Sequence, residues 1–160
     1  MIPAMHTLVI YLCYVPWVAR QNDLERLLIA VHSLARIAAS ETGSTTPQAQ
    51  WRTLSLLENR GAMRLGELAA ASRVTQPGMT RLVGQMADAG LVERSADPDD
   101  SRAVVVAATE KGLAELADWR TRLAEVLTPW FDDLDDDEWA ALHTTASILE
   151  ARTRAKEAAR

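Results

Sequence analysis

The sequence is poor in the residues that build reactive or metal-binding sites. It has one cysteine, Cys13, which excludes an internal disulfide and any metal site made from several cysteines. The histidines stand in no metal-ligand or catalytic spacing, so each is interpreted as a surface or packing residue: His6, His32 and His143. Because no nucleophile, general base or ligand set is visible, we expect neither an enzyme nor a bound cofactor or metal.

A long hydrophobic run is also missing. The apolar stretch from Leu8 to Val18 is shorter than the roughly 18 residues that a membrane helix needs, and it contains Pro16. No lysine or arginine precedes Arg20, although a secretory signal begins with a basic region. We therefore expect a soluble, cytoplasmic protein with no membrane partner. Residues 1–22 are interpreted as an N-terminal extension, either a strap at a subunit interface or an upstream segment that is not translated.

Positive charge is scarce as well. The 17 lysines and arginines against 22 aspartates and glutamates give a net charge of −5, which does not by itself indicate a nucleic-acid partner. The stretch from Arg64 to Gly112 is near neutral, with six basic and seven acidic residues. DNA affinity depends on local phosphate contacts, so such a stretch binds DNA if its arginines converge. We expect modest affinity with a strong salt dependence.

The first half of that stretch predicts two short helices joined by a turn at Ser72-Arg73-Val74. The second helix begins at Thr75, whose hydroxyl can cap the free N–H groups, and Pro77 fits its first turn. Its apolar residues recur at the helical period: Met79, Leu82, Val83 and Met86. The opposite face is short-chained and polar, with Pro77, Thr80, Arg81, Gly84 and Gln85. Such a helix packs by one side and reads a groove with the other.

A β-hairpin is predicted after these helices. Its strands are residues 91–94 and 103–107, and β-branched residues dominate the second strand. The tip between them is rich in turn formers and is expected to be solvated: Asp97-Pro98-Asp99-Asp100-Ser101-Arg102. Helix, turn, helix and then a hairpin ending in arginine is the order of a winged helix-turn-helix.

Four segments of this region are similar to MarR-family (multiple antibiotic resistance regulator) proteins. They are Thr80-Arg81-Leu82-Val83, Gly90-Leu91-Val92-Glu93-Arg94, Asp97-Pro98-Asp99-Asp100-Ser101-Arg102 and Thr109-Glu110-Lys111-Gly112. The resemblance spans roughly residues 23–152 and implies a homodimeric transcription regulator, a ligand-responsive repressor that binds a pseudo-palindromic operator. One branch of this family senses peroxide with a cysteine in the first long helix. Cys13 precedes our predicted first helix and has no basic neighbour before Arg20, so we expect no redox role.

The fold class expected is mainly α with a small β-wing, a winged helix-turn-helix with flanking dimerisation helices. Apolar stripes predict helices over residues 23–39, 46–60, 109–129 and 136–154, and Ala62-Met63 is a candidate third strand. The acidic run 132–138 has capping-box spacing, from Asp135 to Glu138, which explains it without a bound cation. Because apolar stripes run along the helices at both ends of the chain, we assign residues 23–46 and 113–160 to dimerisation. Residues 47–112 are assigned to the DNA-binding lobe.

Individual roles follow from the winged-helix pattern. Gln76, Thr80 and Arg81 are expected to reach base edges, Arg73 and Thr75 to fix phosphates, and Arg102 to enter the minor groove. Asp100 is expected to orient Arg102 or another nearby arginine. The whole predicted DNA-binding set is Arg73, Thr75, Gln76, Pro77, Thr80, Arg81, Gln85, Ser101 and Arg102.

The resemblance also implies a small aromatic or phenolic effector between the dimer core and the DNA lobe. His32, Trp51 and Trp119 are the candidate residues for contacting it. A different class of function remains as the alternative: a helical dimer that binds small molecules or proteins without operator-specific DNA binding. The near-neutral lobe and Gly84, on the outward face of the predicted recognition helix, motivate this alternative.

Overall fold

In the computed structural model, the backbone is described for residues 4–100 and 102–158, and the side chains for residues 19–100 and 102–156. The chain divides into two compact units, Met1–Ser44 and Thr45–Arg160. Within the described part of the chain, no helix is both long and apolar enough to span a membrane.

The first unit consists of one long helix, α1, which spans Ala4–Glu41. The prediction that this helix begins at Asp23 is wrong, because the backbone stays helical through Pro16 and most of the predicted extension. Cys13 therefore lies within the first long helix, and the placement of Cys13 ahead of that helix is also wrong. The side chains of Cys13 and His6 lie outside the described residues.

The second unit carries the predicted winged helix-turn-helix and the two helices that follow it. Its elements are α2 (Gln48–Arg60), β1 (Met63–Arg64), α3 (Leu65–Ser72), α4 (Gln76–Asp88), β2 (Val92–Ala96), β3 (Val104–Ala108), α5 (Glu110–Leu127), a short 3-10 helix (Thr128–Phe131) and α6 (Asp136–Ala158). The fold class is confirmed as mainly helical with a small β-wing. The observed limits of the elements differ from the predicted ones by a few residues. Pro47, for example, is the N-cap of α2 and not its first helical residue.

The three strands form one antiparallel sheet in the order β1-β3-β2. Val92 pairs with Ala108 and Ala96 with Val104, so β2 and β3 make the hairpin of the wing. Met63 pairs with Val106, which confirms a third strand beside the wing, one residue later than predicted. The pairing ties the base of the wing to the start of α3.

A continuous hydrophobic core joins α2, α3, α4, the sheet and α5. Its buried members are Trp51, Leu54, Leu57, Met63, Leu68, Ala69, Met79, Val83, Met86, Leu91, Val92, Val106 and Leu116. Three of these residues belong to the apolar stripe predicted for α4, and burial of that stripe fixes which face of α4 is turned outward. Burying a side chain of this size stabilises the fold by roughly 1.5–3 kcal/mol.

The acidic run before α6 caps the helix as predicted. The Asp135 N–H donates to Oε2 of Glu138 at 3.1 Å, and the Glu138 N–H donates to Oδ1 of Asp135 at 2.8 Å. These reciprocal bonds form a capping box, and the acids of the first turn lie at the positive end of the helix dipole.

Candidate DNA-binding surface

The turn between α3 and α4 is fixed by one residue in the left-handed region. Arg73 has φ 54°, and its N–H donates to Ala70 O at 3.2 Å, while the Val74 N–H donates to Ala69 O at 3.0 Å. Arg52 on α2 donates from Nη1 to Ser72 O at 3.4 Å. The carbonyls at the end of α3 are thus satisfied, and the chain turns sharply into α4.

Thr75 caps α4 in the way that the sequence predicts. Its Oγ1 accepts the Gly78 N–H at 3.3 Å, and Pro77 stands in the first turn, where it leaves no helical hydrogen bond unmade. The predicted DNA-contacting residues around this start are exposed: Arg73, Thr75, Gln76, Pro77, Thr80, Arg81 and Gln85.

Thr80 is more restricted than the sequence alone indicates. Its hydroxyl donates to the Gln76 carbonyl at 2.9 Å, one turn back along α4. The hydroxyl proton is thereby used, so Thr80 can accept a hydrogen bond or offer its methyl group to a base. The side chains around this face of α4 that can still donate are those of Gln76, Arg81 and Gln85.

The wing is tied to the body through Asp97 and Arg64. Arg64 Nε donates to Asp97 Oδ2 at 2.6 Å, and Asp97 Oδ1 accepts the N–H groups of Asp99 at 2.8 Å and Asp100 at 3.1 Å. Asp97 is only 7% exposed, so the expectation that it is solvated is wrong. Its carboxylate holds the turn in shape and fastens the turn to β1. The sequence signal for half of this arrangement is Asp97-Pro98-Asp99, in which the aspartate can bond its own turn.

Asp100 acts on the backbone of the wing tip. Its Oδ1 accepts the Arg102 N–H at 3.0 Å, and its carbonyl accepts the Ala103 N–H at 2.8 Å. Asp100 thereby positions the backbone of Arg102, whereas the carboxylate that pairs with a guanidinium in this turn is that of Asp97. Arg102 is exposed, and its guanidinium has no protein partner among the described residues. Ser101 lies outside the described residues.

A cleft of about 550 Å³ separates the wing from the helix-turn-helix. Gln76 at the start of α4 and Arg102 at the wing both line this cleft, and Arg64 and Asp100 line it as well. The sequence placed Gln76 and Arg102 on separate elements, and the fold brings them to one concave surface. Arg64 is the residue that sequence reasoning missed, since its partner lies 33 positions away.

The Asp97–Arg64 ion pair should make the thermal stability of the protein sensitive to acid. The hydrogen bond from Arg64 is the largest cause holding the pKa of the Asp97 carboxyl below its usual range, and the Asp99 N–H adds to it. A carboxyl with a lowered folded-state pKa contributes stability above its unfolded pKa of about 4, and this contribution is lost as pH falls through the folded value. We expect the melting temperature of the wild type to fall more between pH 7 and pH 3 than that of Asp97→Asn.

Asp99→Asn is the matched control for this experiment, because Asp99 is an exposed aspartate of the same turn. Its melting curve should follow the pH dependence of the wild type. Parallel pH curves for the wild type and Asp97→Asn would show that the ion pair does not stabilise the wing.

The Thr109–Gly112 segment fastens the far end of α4 to the start of α5. Thr109 Oγ1 donates to Gly90 O at 2.7 Å and accepts the Gly112 N–H at 3.0 Å, while Lys111 Nζ donates to Ala89 O at 2.8 Å. The ammonium group lies where the dipole of α4 is negative. A Cβ at Gly112 would lie 2.1 Å from Leu91 O, so only glycine fits there. These contacts give the Thr-x-Lys-Gly pattern a structural reason.

The two candidate effector tryptophans pack against each other between α2 and α5. The rings of Trp51 and Trp119 are stacked, with centroids 5.0 Å apart and planes 9° apart, and Trp51 is 5% exposed. His32 belongs to α1, in the other compact unit. An effector site that joins these three residues stays a prediction.

Comparison of the sequence with known proteins matches it to the MarR family and to HTH-type transcriptional regulators. A model of the MarR family matches residues 47–104. An HTH-type transcriptional regulator of Mycobacterium tuberculosis is 33% identical over 124 residues, which cover 77% of this chain and 87% of that protein. A Mycobacterium leprae protein described as an HTH-type transcriptional regulator has the same identity and coverage.

Solved structures of similar fold include MarR of E. coli in its apo form. It has a TM-score of 0.61 and 24% identity, with 79% of this chain and 95% of that chain covered. BpsR of Bordetella bronchiseptica has a TM-score of 0.52 and 22% identity, with 78% of this chain and 91% of that chain covered. The DNA binding of BpsR is described as regulated by 6-hydroxynicotinic acid.

Proposed function

This chain belongs to the MarR family and is a DNA-binding transcription regulator, and on that premise we propose that it acts as a homodimer that represses transcription from a pseudo-palindromic operator. The observation that carries the proposal is the single cleft lined by Gln76 of α4 and Arg102 of the wing. DNA whose backbone runs along this cleft would meet α4 in the major groove and Arg102 in the adjacent minor groove.

The proposed DNA contacts divide by chemistry. Gln76 and Arg81 donate to base edges, as glutamine does to adenine and arginine to guanine. Arg73 and Thr75, at the turn before α4, contact phosphates and set the register of the helix without reading sequence. Of the remaining members of the predicted set, Pro77, Thr80 and Gln85 lie beside these contacts on α4, and Ser101 stays a prediction from the sequence. Because operator DNA is the proposed target, we propose that the protein acts in the cytoplasm and catalyses no reaction.

Exposed apolar side chains on α1 and α6 support the homodimer. On α1, Leu24, Leu28, Ile29 and Val31 are between 48% and 71% exposed. On α6, Trp139, Leu142 and Leu149 recur at helical spacing and are at least 36% exposed in the single chain. Large apolar surface of this kind marks an interface, and a second copy is the occupant that a two-fold operator requires.

We propose a small aromatic or phenolic effector because a fold relative, BpsR, is described as regulated by 6-hydroxynicotinic acid. Binding would favour a dimer whose two recognition helices no longer match the half-site spacing. Titration with 6-hydroxynicotinic acid and simple phenolic acids tests this, with tryptophan fluorescence and release of bound DNA as readouts. Unchanged fluorescence and unchanged DNA binding across the series would show that small aromatic and phenolic acids are not effectors of this protein.

Arg102→Ala tests the DNA-binding geometry. The Arg102 guanidinium is exposed without a protein partner among the described residues, so its loss should leave the melting temperature of free protein unchanged. In the complex it would replace counterions, and the loss of one such contact should lower the salt slope by about 0.9. We expect operator binding to weaken about tenfold or more, measured by fluorescence anisotropy over a salt series.

Asp100→Ala separates this role from a structural one. Its carboxylate accepts the Arg102 N–H, so removing it should disturb the wing tip while keeping the charge of Arg102. We expect weaker binding with an unchanged salt slope. If both variants melt earlier and neither changes the salt slope, Arg102 holds the wing together and the minor-groove role is wrong. Wild-type protein that prefers no DNA sequence would favour the alternative of a dimer without an operator.

A further inference from the structure

Gly84 lies inside α4 at a position where no contact with the described residues requires glycine. A Cβ built there would have no heavy atom within 4 Å, whereas one at Gly112 would lie 2.1 Å from Leu91 O. The φ angle of Gly84 is negative, unlike those of Gly43, Gly61 and Gly90. Glycine is among the least favourable residues for a helix interior. Neither packing nor backbone conformation within the described residues therefore accounts for it.

The position of Gly84 on the helix directs attention to the outward face. At 100° per residue, Gly84 lies within 40° of Pro77 and Thr80, and opposite the buried Met79 and Met86. The Thr80 hydroxyl is turned back onto the Gln76 carbonyl. The middle of the outward face is therefore a line of short side chains. The long polar chains stand to either side of it, Gln76 on one side and Arg81 and Gln85 on the other.

Such a line controls how deeply a helix can enter a groove. A helix with its side chains is about 10–12 Å across, and the major groove is about 12 Å wide. A long side chain in the middle of the groove-facing surface would hold the helix axis away from the base edges. A glycine there permits close approach of the backbone to the partner.

We propose that Gly84 sets the depth at which α4 enters the major groove, and so brings Gln76 and Arg81 within reach of the bases. The inference rests on the proposed role of α4 as the recognition helix. It makes Gly84 a positioning residue, which acts through the side chains on either side of it. Glycine at this position lowers the stability of the helix. Replacing Gly84 by a larger residue should therefore raise the stability of the protein and lower its affinity for DNA.

The series Gly84→Ala and Gly84→Leu tests the proposal in the full-length protein. Both replacements are strong helix formers in open space, so the melting temperature should rise by about 2–4 °C. Affinity for the selected operator should fall a few-fold for Ala and about tenfold or more for Leu, in order of side-chain size. Affinity for random DNA should fall much less, because phosphate contacts do not need full insertion.

Asn59→Ala is the matched control, since Asn59 is exposed on α2, outside the predicted DNA contacts and the dimerisation region, and the change also favours helix. It should leave operator affinity unchanged, which shows that added stability alone does not weaken binding. Gly84 variants that bind the operator like the wild type would overturn the proposal while leaving the proposed function intact. Wild-type protein without any sequence preference would instead overturn the proposed function, and this inference with it.

Discussion

Replacing Arg81 by alanine is expected to reduce operator affinity by about 1–3 kcal/mol, the largest loss for any side chain on the surface. Arg81 lies in the second turn of α4 and is exposed, on the face opposite the buried Met79, Val83 and Met86. A guanidinium in this position can form two hydrogen bonds to one guanine, and alanine forms neither. The loss should be confined to the cognate sequence, and specificity should relax at one base pair in each half-site.

Arg122→Ala is the control for Arg81, because it removes an exposed arginine from α5 and changes the net charge equally. It should reduce binding slightly or not at all. The decisive comparison uses operators with each base of the half-site changed in turn, titrated with wild type and Arg81→Ala. If the variant weakens binding to every sequence by the same factor, Arg81 contacts a phosphate and the assignment to a base is wrong.

Gly112→Ala is expected to produce the largest loss of folding stability. Its Cβ would lie 2.1 Å from Leu91 O and 3.0 Å from Leu54 Cδ2, in contact with the core. Leu91 O already accepts the Thr109 N–H at 3.1 Å, so the backbone there cannot retreat without breaking the link between α4 and α5. Overpacking of this kind costs about 1–3 kcal/mol and occasionally more, and the melting temperature should fall accordingly.

Gly66→Ala provides the matched control for Gly112→Ala. Gly66 is also a helical glycine near the start of its helix, and a Cβ there would have no heavy atom within 4 Å. It should leave thermal stability unchanged or slightly higher, because alanine favours the helix. Equal melting temperatures for the two variants would show that the contact between Gly112 and Leu91 relaxes without cost.

Periodicity was sufficient to predict the elements that place the surface. Met79, Val83 and Met86 were predicted to face the core and are buried, so the outward face of α4 followed directly from the sequence. The cap at Thr75 was predictable for the same reason, since a cap depends on residues within one turn. Such features can be predicted from the sequence because they depend on residues within one or two helical turns and not on contacts between distant residues.

The parts that could not be predicted depend on contacts between distant residues. Arg64 bonds Asp97 only because β1 pairs with β3, and no local pattern marks Arg64 as the partner of the wing. The start of α1 was placed too late because the helix was predicted only from the apolar stripe that begins after Asp23, whereas the backbone is helical from Ala4 and continues through Pro16. The stacked Trp51 and Trp119 were candidates for a ligand surface, and only the fold shows that they pack on each other.

Selection of binding sites from a pool of random double-stranded DNA tests the central claim most directly, that a homodimer of this chain reads a two-fold operator. The selected sequences should share an inverted repeat, with half-site centres about one helical turn, or 10–10.5 base pairs, apart. Arg81→Ala protein should select the same repeat with one position per half-site relaxed. Selected sequences that share no motif, or that share a single unrepeated one, would contradict a dimeric operator-binding regulator.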